Sequence, residues 1–225
     1  MKKVLFTMML GLLFMATAMT LASCANSNNG ENTGSKAESE NVEQVPPASD
    51  LTSPDLTYFE LKGPVKNCDG VEFDRNGTIV TIDGVNPFAL EQPYRDIDTT
   101  TGTFVDQCRW TRDDKGQIDS IICYEYVQKT RWHEGRVIEI LAGFEGQLLW
   151  TIYGYDEAGR LVKLTQNGIV ETEGPEEINL LCTMEYTCLE FDGYGNWTRR
   201  RAKYMDASID FSDETEETRT IEYYE

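Results

Sequence analysis

The feature that most constrains the fold is a short motif that punctuates the chain from residue 73 onward. In each copy a few strand-forming residues precede an acidic residue, a glycine follows one to three positions later, and strand-forming residues then resume. An aspartate side chain caps a tight turn, and glycine takes the left-handed conformation that closes it. The copies lie at 73–79, 113–118, 132–137, 144–148, 155–161 and 191–197.

Because β-branched and aromatic residues flank these turns, they predict a mainly β fold. We expect an antiparallel meander of hairpins, forming either one curved sheet or an open half-barrel. In residues 180–188 the even-numbered side chains are apolar and the odd-numbered ones mostly polar, which is typical of a strand buried on one face. Arg199, Arg201 and Lys203 line one face of another strand, where they are expected to pair with acids such as Glu222.

One short helix is predicted before the sheet, from about Pro54 to Leu61. Ser53 can cap its first turn, Pro54 suits the first helical position, and Asp55 favours the positive end of the helix dipole. Gly63 and Pro64 end it.

The N-terminus predicts export and lipidation. Lys2 and Lys3 precede an apolar run that ends at Leu21-Ala22-Ser23-Cys24, which resembles the processing site of bacterial lipoproteins. The resemblance implies a signal peptide at 1–23 and acyl chains on Cys24, through which the protein would be held to a membrane. An ordinary secretory signal or an anchoring helix is the alternative.

The rest of the chain divides into two parts. Residues 24–50 are rich in Asn, Ser, Gly, Glu and Lys and poor in aliphatics, which predicts a flexible tether. Residues 51–225 suit a single β domain. An aspartate directly after the lipidated cysteine would resemble an inner-membrane retention signal, but Ala25 occupies this position. No acidic run directly follows Cys24 either. The outer membrane, on its periplasmic face, is therefore the expected location, with surface display left open.

Charge bears on the class of partner. The formal net charge is −19, and removal of residues 1–23, which contain two lysines and no acid, would make it −21. So negative a protein repels phosphate backbones, and nucleic acid is not an expected partner.

Two segments resemble the YD (RHS-type) repeats and related small lipoproteins of the Bacteroidetes. Residues 155–161 match the repeat core Tyr-Asp-x-x-Gly-Arg-Leu, and residues 191–200 resemble the Gly-Asn-Trp-Thr ending of those lipoproteins. Residues 59–66 are similar to their opening. The resemblance implies hairpin repeats, and it implies no catalytic residues.

Two kinds of covalent modification are predicted. Cys108 and Cys123 flank the turn at 113–116, so a disulfide between them is a candidate, although a one-residue change of register would separate them. Thr99 and Ser120 lie in three-residue patterns that resemble O-glycosylation sites of Bacteroidetes secretory proteins.

The tryptophans are the main candidates for a ligand or partner face. Aromatic rings on a sheet can stack on sugars or anchor protein interfaces, and the alternative is that they pack the core. The candidate face is formed by Trp110, Trp132, Trp150 and Trp197, with Arg199 and Arg201 beside them.

The sequence gives little support for catalysis or for metal binding. His133 is the single histidine and lies in a predicted turn, so no catalytic residue, metal ligand or cofactor is assigned, and weak calcium binding by acidic clusters is left open. The expected function is a non-enzymatic binding or scaffolding module for an envelope protein or a glycan. The alternatives are a carboxylate-based glycan hydrolase and an immunity or inhibitor protein.

Overall fold

The structure is a computed structural model, and it describes residues 51–97, 103–144, 147–170, 177–209 and 211–225. The signal peptide predicted at 1–23, the tether at 24–50, the lipidation site Cys24 and the glycosylation candidate Thr99 all lie outside these ranges. Within the described ranges, no helix has the length and apolar character needed to cross a bilayer.

The described residues form a mainly β fold with one short helix, which confirms the predicted class. Helix α1 spans Pro54–Tyr58. The strands are β1 (Val65–Cys68), β2 (Val71–Phe73), β3 (Ile79–Ile82), β4 (Tyr94–Ile97), β5 (Phe104–Gln107), β6 (Arg109–Arg112), β7 (Ile118–Ile122), β8 (Tyr126–His133), β9 (Arg136–Phe144), β10 (Gln147–Tyr155), β11 (Leu161–Val170), β12 (Glu177–Phe191), β13 (Trp197–Asp206), β14 (Phe211–Thr218) and β15 (Ile221–Tyr223).

These strands form three antiparallel sheets. The largest has nine strands in the order β14 to β6, so every neighbour in the sheet is also a neighbour in sequence. This is the predicted meander, and it is open, with β6 and β14 at its edges. Strands β15-β1-β2-β3 form a second sheet, and β4 and β5 form a third.

The recurring motif builds the same turn at Asp74, Asp113, Asp156 and Asp192. In the turn at Asp113, the carboxylate Oδ1 accepts hydrogen bonds from the backbone N–H of Lys115 at 2.9 Å and of Gln117 at 2.8 Å. The N–H of Gly116 donates to the Asp113 carbonyl at 3.1 Å, and this glycine has a φ of +77°. The acidic side chain thus replaces the backbone partners that the turn lacks.

Helix α1 packs against one face of the large sheet, and the four-stranded sheet shares its hydrophobic core. The core between them contains Leu56, Leu61, Val65, Phe73 and Ile118, which are at most 2% exposed. Gln128 Nε2 donates to the hydroxyl of Tyr58 in α1 at 2.9 Å. We call the sheet face that carries Gln128 the inner face and the opposite face the outer face.

The helix is shorter than predicted. It begins at Pro54, with the Ser53 hydroxyl accepting from the N–H of Leu56 at 3.0 Å, but it ends at Tyr58 rather than Leu61. Glu60 adopts a φ of +56°, and the N–H of Leu61 turns back to the Leu56 carbonyl at 2.8 Å. The left-handed residue therefore closes the helix before the glycine is reached.

Two details of the strand predictions are wrong. Leu180 does not share the buried face of Cys182 and Met184. The strand has a bulge between the pairs Gln166↔Cys182 and Asn167↔Leu180, where residue 181 is the extra residue. Side chains before the bulge therefore point to the opposite face from the one that the alternation predicts. Glu222 does not pair with the basic row, because β15 belongs to the four-stranded sheet.

The disulfide between Cys108 and Cys123 is present. Their Cα atoms are 4.3 Å apart, at the position that follows the Arg109↔Ile122 pair in the ladder between β6 and β7. Cys68, Cys182 and Cys188 are free thiols, and Cys182 and Cys188 lie in the same strand, β12.

Candidate functional site

The segments 59–66 and 191–200 contact each other. Asn196 is 2% exposed, and its side chain bonds to both backbone groups of Lys62. The indole Nε1 of Trp197 donates to the Glu60 carboxylate at 2.9 Å. The segment 59–66 is therefore fastened to the turn that precedes β13.

Trp197 lies between two arginine side chains. The guanidinium carbons of Arg200 and Arg219 are 4.1 and 4.0 Å from its ring centroid. Arg219 donates to the carbonyls of Phe59, Glu60 and Trp197, and burial lowers the pKa of its guanidinium. Because both cations stack on the ring of Trp197, this tryptophan has a structural role.

Trp110 and Trp132 are partly buried and pack against the hydrophobic core. Trp110 packs against Tyr58 and Phe59 of the helical segment, with ring centroids 5.9 and 6.4 Å apart. The indole Nε1 of Trp132 donates to the Ile118 carbonyl at 2.8 Å. The predicted face of four tryptophans therefore does not exist as one exposed platform.

Arg199 and Arg201 lie on β13, three strands away from Trp150 on β10. Arg199 is ion-paired with Glu190 at 2.7 Å and with Glu216 at 3.1 Å, while Arg201 lies 3.9 Å from Glu214. They pair with acids on the neighbouring strands, as expected, but the partners lie on β12 and β14. Among the described residues, the guanidinium groups that stack on a tryptophan belong to Arg200 and Arg219, not to Arg199 or Arg201.

Ser120, the second glycosylation candidate, is 7% exposed in β7, and its hydroxyl donates to Asp119 at 2.6 Å. The folded structure therefore does not present this hydroxyl to a glycosylating enzyme.

Trp150 lies in a contiguous apolar surface on the outer face. Residues directly opposite each other in a ladder share a face. One row across the sheet runs through Leu141, Trp150, Asn167 and Leu180. The next row runs through Val127, Gly143, Leu148, Ile169 and Ile178. We call Val127, Leu141, Leu148, Trp150, Ile169, Ile178 and Leu180 the outer apolar surface.

The side chains at the margins of this surface are well exposed. Ile178 is 54% exposed, Leu180 49%, Val127 43% and Leu141 39%. Asn167 is buried among them at 8% exposure, and its Nδ2 donates to the Trp150 carbonyl at 3.4 Å. The sequence did not identify the aliphatic side chains of the outer apolar surface. Leu180, for example, lies on this face only because of the bulge at residue 181.

A separate cleft of about 460 Å³ lies between the helical segment and the turns of the large sheet. Its apolar lining includes Leu61, Tyr155, Ala158, Phe191 and Trp197. Its charged lining comprises Glu60, Lys62, Glu134, Arg136 and Arg160.

The carboxylates of the cleft bear on the hydrolase alternative. Glu60 is engaged by Trp197 and by Arg200, whose Nη1 is 3.2 Å away, and the Glu134 side chain is 86% exposed beside His133. Burial raises the pKa of Asp83, but this residue lies outside the cleft lining. In the part of the chain that the structure describes, no group of three or more His, Cys, Asp and Glu side chains is arranged to hold a metal ion.

Searches against protein-family models and curated proteins found no match to this chain.

Proposed function

We propose that the chain is a lipid-anchored envelope protein whose β domain binds a protein partner through the outer apolar surface. The observation that carries the proposal is the exposure of Ile178, Leu180, Val127 and Leu141 in two adjacent rows around Trp150. Soluble domains rarely leave a contiguous apolar patch in water unless it binds something.

The composition of this surface favours a protein over a glycan. Sugars are recognised by exposed aromatic faces with polar groups around them, whereas six of the seven side chains here are aliphatic. Aliphatic side chains around one central tryptophan are typical of the buried centre of a protein interface. The pleated face of a sheet also suits packing against another sheet.

The lipoprotein-like sequence at residues 21–24 supports the lipid anchor in this proposal. The polar composition of residues 24–50 supports the flexible tether. Acylation at Cys24 would hold the domain to the periplasmic face of the outer membrane, and the hairpins would be degenerate YD-like repeats. The Cys24→Ser variant tests the anchor: we expect it to move from the membrane fraction to the soluble fraction. Retention in the membrane would contradict the lipid anchor.

A photo-cross-linking residue at Leu180 tests the binding surface in intact cells. We expect one dominant protein adduct, since the side chain would be buried against the partner. A cross-linker at Val80 is the matched control, because Val80 is 43% exposed on β3 of the other sheet. The same adducts from both positions, or none from Leu180, would contradict the proposal.

The double variant Ile178→Lys, Leu180→Lys provides a second measurement. Both side chains are about half exposed, so we expect the domain to keep its stability while the adduct formed from a cross-linker at Leu141 is lost. An undiminished adduct from Leu141 would show that this face is not the interface.

A further inference from the structure

The cleft between the helical segment and the large sheet shares no lining residue with the outer apolar surface. It lies in a protein with a formal net charge of −19, yet three of its five charged lining residues are cations. Its volume of about 460 Å³ falls in the range of small-ligand sites.

Arg136 is an exposed side chain that lines this cleft and has no acidic partner among the described residues. Its guanidinium carbon is 5.7 Å from the ring centroid of Tyr155, whose hydroxyl donates to the Val137 carbonyl at 2.7 Å. The guanidinium lies so close to Gly159 that a Cβ at that position would collide with it. Among the described residues, the Arg136 guanidinium forms no hydrogen bond or ion pair, so its donors remain available for a ligand.

The other cations of the cleft are also at least partly available. Lys62 is exposed, and within the described residues its ammonium group has no ion-pair partner. Arg160 is paired with Asp156 through Nε and Nη2, which leaves Nη1 for a further acceptor. Of the two carboxylates in the lining, Glu60 shares Arg200 with Glu217 and also interacts electrostatically with Arg219, and the Glu134 side chain is mostly exposed to solvent. The local field therefore favours an anion.

The apolar part of the cleft restricts the class of anion. Leu61 and Leu161 are buried in its lining, and Ala158 and Phe191 complete an apolar wall. The ring faces of Trp197 are occupied by Arg200 and Arg219, and a guanidinium also lies 5.8 Å from the ring centroid of Phe191. Little aromatic face is left for a sugar to stack on, so an aliphatic group beside the charge fits better.

We propose that this cleft binds the C-terminal carboxylate of a peptide that ends in an apolar residue. Arg136 contacts the carboxylate, Lys62 and Arg160 add to the positive potential, and the terminal side chain packs on the apolar wall. Guanidinium groups bind carboxylates through paired, charge-assisted hydrogen bonds.

Calorimetric titration of the full chain with acetyl-Ala-Leu tests this site, with the C-terminal amide of the same peptide as the matched ligand. We expect saturable binding of the acid and at least about tenfold weaker binding of the amide, because the amide lacks the charge. Arg136→Ala should weaken binding of the acid by a similar factor, and Arg136→Lys should restore part of it. Arg131→Ala, which removes an exposed arginine of β8 paired with Glu139, is the control and should leave binding unchanged.

Three outcomes would overturn the proposal. Equal binding of acid and amide would remove the role of the carboxylate, and absence of saturation up to about 10 mM acid would remove the site. Glucuronic acid binding more tightly than the peptide would assign the cleft to acidic sugars instead. Thermal melting of each variant identifies any that lose binding through unfolding.

Discussion

Lys62 and Asn196 form two hydrogen bonds with each other although 134 residues separate them. The Asn196 Oδ1 accepts from the Lys62 N–H at 2.7 Å, and its Nδ2 donates to the Lys62 carbonyl at 2.9 Å. A side-chain amide thus takes the place that a neighbouring strand would occupy. The same Nδ2 donates to the Tyr223 hydroxyl at 2.8 Å, so one asparagine links three distant segments.

Replacing Asn196 with alanine should therefore be costly. The change leaves the backbone groups of Lys62 without their partners beside a buried site, and we expect a loss of about 2–4 kcal/mol in the free energy of unfolding. Thr78→Ala is the control, because Thr78 occupies the equivalent position of the turn at Asp74 and is exposed. Denaturant unfolding measures both, and equal costs would contradict a special role for Asn196.

Asp55 makes a second long-range tie. It is 1% exposed, its carboxylate accepts two hydrogen bonds from Arg112, and its Oδ2 accepts from the N–H of Ile79 at 2.7 Å. Asp55→Ala leaves the Arg112 cation without its partner, so we expect a loss of about 3–5 kcal/mol in denaturant unfolding. Glu190→Ala, which breaks the exposed pair with Arg199, should change stability little. A small effect of Asp55→Ala would show that the pair contributes little net stability.

The disulfide between Cys108 and Cys123 closes a loop with a sequence separation of 15 residues. The bridge reduces the conformational entropy of the unfolded chain, which raises the free energy of unfolding by about 3 kcal/mol. We expect reductant to lower the denaturation midpoint of the native protein. The variant Cys108→Ala, Cys123→Ala should be insensitive to reductant, whereas Cys188→Ala should respond like the native protein. No response in the native protein would argue against a stabilising bridge.

Gly159 and Gly195 occupy the same position in two turns, with φ of +77° and +81°. Gly195→Ala adds a Cβ in open space, so we expect only the left-handed penalty of about 1–2 kcal/mol. Gly159→Ala should cost little more, because the Arg136 guanidinium that its Cβ would meet is the end of a flexible, exposed side chain and can move aside. Denaturant unfolding of both variants measures the difference. An excess cost of Gly159→Ala of more than about 0.5 kcal/mol, removed by adding Arg136→Ala, would show instead that the guanidinium is fixed against this turn.

Burial raises the pKa of the Cys68 and Cys182 thiols to about 11. The folded state therefore keeps these protons at a pH where the unfolded chain loses them. Their contribution to stability is complete below the unfolded pKa near 9 and is lost as the pH rises toward 11. We expect the free energy of unfolding to fall across this window, and to fall less in the Cys68→Ala, Cys182→Ala variant. An unchanged slope would contradict the burial of these thiols.

The turn chemistry made the large sheet predictable, because each Asp-to-Gly turn needs only local residues. The same logic could have found the turns at Asp69-Gly70 and Asp83-Gly84, where Asp69 and Asp83 adopt φ of +47° and +49°. The division into three sheets was not predictable in this way. It depends on β15 pairing with β1 across nearly the whole domain, which no local pattern encodes.

The candidate sites were less predictable than the fold, for two physical reasons. A bulge changes which face a side chain occupies without leaving a mark in composition, as at Leu180. Cation stacking depends on distant partners, so the enclosure of Trp197 by Arg219 could not be read from either segment. Trp150 was found as a candidate, but its aliphatic neighbours become visible only in the ladder register.

The pairing of β1 with β15 has a consequence for biogenesis. Asp69, just after β1, accepts a hydrogen bond from the N–H of Thr220, 151 residues later in the chain. A polypeptide that leaves the ribosome or a translocon N-terminus first can assemble the large meander hairpin by hairpin. One edge of β1 nevertheless stays unpaired until β15 emerges, so the first strand of the domain is the last to gain its second neighbour.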